Sequence, residues 1–193
     1  MIFPLGEYFI FVLGVYTLWL ERARFSRRFW GGLWIAWFTG FLLEGLFPWK
    51  GAYHWHFSRV LVMIFFAGVA LKNTNGRKFL PALVTAFALV AQNLFAVNEP
   101  GIVKGDQWFF GAIVVFVALI TSRDFWGMGL ALIGGILLDL GISVFLFQGI
   151  VRHYDLPDPF FWNLSVIFLS TVACARTLRK KRNDVLIEMS EKE

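Results

Sequence analysis

Apolar residues run through this chain in long blocks separated by short polar clusters. The blocks fall at about 2–20, 29–47, 53–71, 79–97, 107–122, 126–147 and 160–175. A helix needs about 20 predominantly apolar residues to cross the hydrocarbon core of a bilayer, and most of these blocks approach that length. The pattern predicts an all-α polytopic bundle of seven transmembrane helices, forming one domain over residues 1–175. A basic and then acidic tail follows at 176–193. The fifth block is the short one. Its flanks have to help it across, and a run that brief is also compatible with a re-entrant segment. The first block lacks a basic leader and an A-x-A-type cleavage site, so it reads as a retained span rather than a signal peptide.

A second periodicity lies inside two of the blocks. Gly127, Ala131, Gly135, Asp139 and Ser143 recur every four residues, and so do Gly32, Ala36, Gly40 and Glu44. That spacing stacks side chains along one side of a helix. Small residues so placed let a second helix approach closely. The expectation is that Asp139 and Glu44 lie on packed seams and not toward lipid. An ionised Asp at mid-bilayer costs about 2.5–3.5 kcal/mol on insertion scales, so Asp139 must be either neutral or paired with a neighbouring donor. The lead-ins "SRRFWG" (Ser26–Gly31) and "SRDFWG" (Ser122–Gly127) also match, as do "FLLEG" and "ILLDL" around the acids. Together they suggest a parallel internal repeat in which spans one to three echo spans five to seven, with one register slip and span four as linker.

Composition agrees with lipid as the solvent. The chain of 193 residues is 58% hydrophobic and 16% charged, with 23 Phe and 9 Trp, against about 25% charge in soluble domains. A soluble domain of this size has too little interior to hide that surface. The net charge of +5 does not signal nucleic acid, because the basic residues cluster at the ends of apolar blocks. Lys and Arg number 13 on one set of alternate loops (residues 22–28, 72–78, 123 and 176–182) and 4 on the other (Lys50, Arg59, Lys104 and Arg152). Cationic loops stay cytoplasmic, which places the N-terminus outside and the C-terminus inside. Trp49, Trp55, Trp108 and Trp162 then fall near the outer boundary and Trp30 and Trp126 near the inner one, as an aromatic belt. The expected location is the bacterial plasma membrane, with the lipid bilayer as the constant partner.

The outer half of the bundle collects the polar residues: Glu7, Glu44, His54, His56, Arg59, Gln92, Asn93, Glu99, Asp139 and Asn163. Glu7, Glu44, Gln92, Asn93 and Asp139 form the candidate intramembrane site, since ionisable groups within a membrane are functional candidates by default. The rival interpretation is structural: hydrogen bonds between helices for the buried members, and headgroup wetting for His54, His56, Arg59 and Glu99. His54-x-His56 is set aside as a metal site, because residues two apart point to different sides of a helix and no further ligand motif accompanies them. Cys174 stands alone, which excludes an internal disulfide or a thiolate cluster. No nucleotide-binding or nucleophile motif is present, so neither catalysis nor a cofactor is expected. The run "RTLRKKR" reads as a topological anchor, with anionic lipid as its alternative ligand.

The layout, with "GRKFL" leading into a span that closes in "LFAVNEP" and a later "LALIGGILLDLG", resembles the YphA-like multi-pass membrane proteins of endospore-forming Firmicutes. The resemblance covers most of the chain and implies a location rather than an activity. "GGILLDL" alone is also similar to a segment of MreD-type cell-shape proteins, over one helix only. The expected function is a non-enzymatic helix bundle that assembles with another membrane protein or with itself. The alternative is a small solute or ion carrier with an outward-facing polar pocket. Its three-plus-one-plus-three layout is similar to that of SWEET transporters, but their proline hinges are missing.

Overall fold

Backbone in lipid has to satisfy its own hydrogen bonds, and a helix does so within one segment. A computed structural model of the protein describes residues 4–20, 23–46, 53–74, 79–98, 105–150 and 154–190, with side chains as far as 178 except that of Tyr154. Seven helices lie among them: α1 (Leu5–Leu20), α2 (Arg24–Leu46), α3 (Phe57–Asn73), α4 (Phe79–Asn98), α5 (Asp106–Thr121), α6 (Phe125–Leu146) and α7 (Pro159–Ser190). Three are long and apolar enough to cross a membrane: α4, α6 and the Pro159–Leu178 part of α7. The helices α1 and α5 are apolar but have 16 residues each. Arg22, Trp49, Lys50, Arg77, Lys78, Glu99, Lys104 and Arg152 lie outside the described residues.

Three helix boundaries depart from the hydropathy pattern, each for a local reason. The α2 helix begins at Arg24, five residues before the apolar block. Nothing between Ala23 and Phe29 stops a helix, and arginine is a good helix former. The α3 helix begins at Phe57, not 53, because Tyr53–Trp55 is a short strand, β1. It pairs in parallel with β2 (Tyr154–Leu156), in the register Tyr53↔Tyr154, His54↔Asp155 and Trp55↔Leu156. The α7 helix runs on to Ser190, where a separate tail was expected from 176. The segment "RTLRKKRNDVLIEM" contains neither Gly nor Pro, so the helix outlasts its apolar stretch.

The helix ends sort into two groups. Gly6 on α1 bonds Asn163 on α7. Glu7 on α1 meets Arg59 on α3. Glu44 near the end of α2 meets Ser58 at the start of α3. Asn93 on α4 meets Asp139 on α6. The starts of the odd helices and the ends of the even ones therefore gather at one end of the bundle, which is the polar end. At the other end Trp126 of α6 sits edge-on to Phe25 and Phe29 of α2, with ring centroids at 6.0 and 5.3 Å, and the Arg176 guanidinium donates to the Arg123 carbonyl. Between them runs a core built on Met63, Leu89, Ala131, Leu132 and Trp162.

Glycines set how near the helices come. A Cβ on Gly40 would overlap the backbone of Ser58, one on Gly135 would overlap Thr85, and one on Gly32 would overlap the Phe65 ring. The two seams are thus α2 on α3 and α6 on α4. The Ala131 side chain is fully buried and Ala36 packs at the edge of the core. Residues Leu130–Gly134 form a π turn within α6. Positions four apart advance by about 40° per step around an α-helix. A π turn takes about 4.4 residues and turns the series back. This is why Gly127, Ala131, Gly135, Asp139 and Ser143 all stay buried over four steps.

Substitutions at these glycines should separate sharply. Gly40→Ala must push α2 off α3 and is expected to lose about 1–3 kcal/mol through overpacking. At Gly31 and Gly45, where a Cβ would meet nothing within 4 Å, alanine should be neutral or slightly stabilising. Unfolding midpoints in detergent micelles measure the difference.

Candidate functional site

Asp139 is 9% exposed and faces α4 across the Gly135–Thr85 contact. The Asn93 amide donates to both its carboxyl oxygens, at 3.2 and 3.4 Å, and lies 3.3 Å from Ser143 Oγ. The Ser143 hydroxyl, one turn further along α6, donates to Asp139 Oδ1 at 3.1 Å. The four-residue spacing that aligns Ser143 with Asp139 supplies one donor, and the neighbouring helix supplies the other. Gln92, beside Asn93, is 4% exposed, and its Oε1 has no partner among the described residues.

Glu44 and Glu7 serve other contacts. Glu44 Oε1 accepts from the backbone N–H and the hydroxyl of Ser58, both at 2.8 Å. It therefore satisfies a free donor in the first turn of α3, where a carboxylate also meets the positive end of the helix dipole. Gly40, one turn earlier on α2, lets the two backbones approach closely enough for this bond. Glu7 Oε1 lies 2.9 Å from Arg59 Nε. The Arg59 side chain is nearly closed off from solvent, at 9% exposed, and Glu7 is half-buried. Arg59 Nη1 has no partner among the described residues. Beside them Asn163 Oδ1 accepts from Gly6 N–H at 2.8 Å.

Above these contacts lie the two strands. Tyr53–Trp55 is extended, which removes the ground on which His54-x-His56 was set aside: along a strand, residues two apart share a face. His56 N–H donates to the Leu156 carbonyl at 2.8 Å, continuing the ladder past its last pair. His54 Nδ1 lies 3.3 Å from His56 Nε2 and 3.3 Å from Asp155 Oδ1, and His56 Nε2 lies 3.9 Å from the same oxygen. Burial pushes the His56 imidazole below its usual range, and the charges of Arg59 and His54 add to this. Glu44 and Asp155 oppose it. Asp158 caps α7, accepting from Phe160 N–H at 2.7 Å and Phe161 N–H at 3.3 Å. Burial raises its carboxyl above the usual range, with those two N–H groups pulling the other way.

No protein family, curated protein or solved structure matches the chain.

The five candidate intramembrane residues thus divide among different helix contacts. Asp139 and Asn93 meet on α6 and α4, Glu44 joins α2 to α3, Glu7 joins α1 to α3, and Gln92 Oε1 has no partner among the described residues. Among the packing residues, Gly127 has a different place from the rest: its N–H is held by the Asp124 carboxylate at the start of α6. A cavity of about 70 Å3 lies deeper in the bundle. Its walls are almost wholly apolar, including Leu33, Met63, Phe66, Ile133 and Trp162. Glu7 borders a second space of about 20 Å3 with Phe11 and Trp34. Two residues of the polar end escaped the sequence pattern. Asp158 carried a usable signal, an Asp directly before a proline that opens a helix. Asp155 carried none, because its neighbours are brought to it from the other half of the chain.

The Glu7–Arg59 pair gives a direct test. Glu7→Gln leaves a buried guanidinium charge uncompensated and is expected to lose about 3 kcal/mol. Glu7→Gln combined with Arg59→Met removes both charges and should recover most of that loss, measured by reversible unfolding in mixed micelles.

Proposed function

We propose that the protein is a non-enzymatic helix-bundle assembly protein of the bacterial plasma membrane, acting through contact with another membrane protein or with a second copy of itself. One observation carries this: each acid within the bundle is engaged by its own protein partner on its own pair of helices. A transport site would gather such groups around one polar space, and the small cavity bounded by Leu33, Met63, Phe66 and Trp162 is apolar and holds none of them. The orientation belongs to the same proposal, with the N-terminus outside, the polar end outward and the C-terminus cytoplasmic. Its support is the excess of Lys and Arg on one set of loops. The likeness to YphA-like membrane proteins, resting on layout, fits this location.

Seven spans related by a parallel repeat are also part of the proposal. The strands support it. β1 lies between α2 and α3, β2 lies between α6 and α7, and the two pair in parallel with Tyr53 opposite Tyr154.

A carrier is the second reading. It draws on the π turn at Leu130–Gly134, close before Asp139, since π turns often mark functional sites. Reconstitution separates the two. For an assembly protein, Asp139→Asn and Glu44→Gln lower thermal stability, proteoliposomes carry no solute or proton flux, and cross-linking in native membranes captures a membrane protein or a second copy. Flux through the wild type that vanishes in variants of normal stability would establish the carrier instead.

A further inference from the structure

The geometry points to a binding site for a divalent transition ion of the zinc class, formed by His54, His56 and Asp155 at the polar end of the bundle. The three ligand atoms all lie within 4.8 Å of one another. The separations are 3.3, 3.3 and 3.9 Å. A four-coordinate ion with bonds of about 2.0–2.1 Å holds its donors about 3.3 Å apart. Two of the three separations already match that spacing, and the His56–Asp155 separation would have to close by about 0.6 Å.

The donor set selects the class of ion. Two imidazoles and one carboxylate suit zinc, nickel or copper. Calcium and magnesium ask for oxygen ligands and more of them. The backbone holds the set in place from both sides. His54 and Asp155 are opposite each other in the parallel ladder, and the His56 N–H bond to the Leu156 carbonyl fixes the third donor. Among the described residues Arg59 is a nearby cation, and Glu7 pairs with it at 2.9 Å. The His54 and Asp155 side chains are 53% and 42% exposed, which leaves an entry path and a fourth position for water. A site with three protein ligands and one open position differs from a closed structural site, which has four.

Such an ion would tie the segment ahead of α3 to the segment ahead of α7, joining the two halves of the chain. This inference stands independently of the assembly reading, since the site lies in the connecting segments and uses none of the buried acids.

The test uses the full-length protein in lipid nanodiscs, stripped with chelator and titrated with zinc chloride by calorimetry and equilibrium dialysis. One zinc per chain is expected. His54→Ala, His56→Ala and Asp155→Ala should each weaken binding about tenfold or more. Zinc should raise the unfolding midpoint of the wild type. Asp155→Asn, which keeps the side-chain size, should retain the metal-free midpoint and lose the rise. Cobalt in place of zinc should give the visible absorption of a four-coordinate ion in the wild type and not in Asp155→Asn. Failure of the wild type to bind zinc, or wild-type affinity in the His54→Ala/Asp155→Ala double variant, would overturn the site.

Discussion

A polar group in the hydrocarbon layer has no water to fall back on, so another part of the protein must satisfy it. The described helices, three of them long and apolar enough to cross a membrane, meet that constraint contact by contact. Asp139 is met by Asn93 from the facing helix and Ser143 from its own. Glu44 is met by the free donors at the start of α3. Arg59 is met by Glu7. Each contact joins two helices, and together they link α1, α2 and α3 on one side and α4 and α6 on the other. Hydrogen bonds between membrane helices contribute modestly, typically about 0.6 kcal/mol each. Their larger effect is on specificity, because a shifted register would separate each carboxylate or guanidinium from the partner that satisfies it.

These contacts depend on close approach, and close approach depends on the missing side chains of glycine. Gly40 brings α2 against the Ser58 backbone, which is the position from which Glu44 reaches the α3 donors. Gly135 brings α6 against Thr85, which sets Asp139 opposite Asn93. The same device operates twice: a small residue makes the seam, and one turn further along an acid locks it. Between the seams the rings of Phe29, Phe66, Phe125 and Trp126 fill the opposite end with edge-to-face contacts. Hydrogen bonds between helices dominate one end of the bundle, and ring packing dominates the other.

Much of this was legible in the sequence, and what was not has a common cause. Blocks of apolar residues announce helices because lipid demands them, so the helical architecture follows from hydropathy alone. The series Gly127, Ala131, Gly135, Asp139 and Ser143 could be read because size and spacing are local properties. The partners of the acids could not. Nothing near Glu44 names Ser58, and nothing near Asp139 selects Asn93 over its neighbour Gln92. Helix ends were misplaced wherever hydropathy and helix propensity part company, as at Arg24 and along the strongly helical segment after Ala175. The two strands left no signal. Three residues each, they exist only because the fold brings residues 53–55 and 154–156 together. That pairing also turned an ordinary His-x-His into three converging ligand atoms.

The central claim is that Asp139 is sealed between α4 and α6, and that Glu7 and Glu44 are held in separate helix contacts and do not share an aqueous path with it. Thiol accessibility tests it most directly. With Cys174 replaced by alanine, single cysteines at positions 44, 93 and 139 are exposed to a membrane-impermeant thiol reagent, applied in turn to each side of sealed vesicles. The account predicts that positions 93 and 139 stay unlabelled from both sides until the protein is unfolded. Rapid labelling of 44, 93 and 139 together from one side would contradict it, because the acids would then face a shared water-filled pocket.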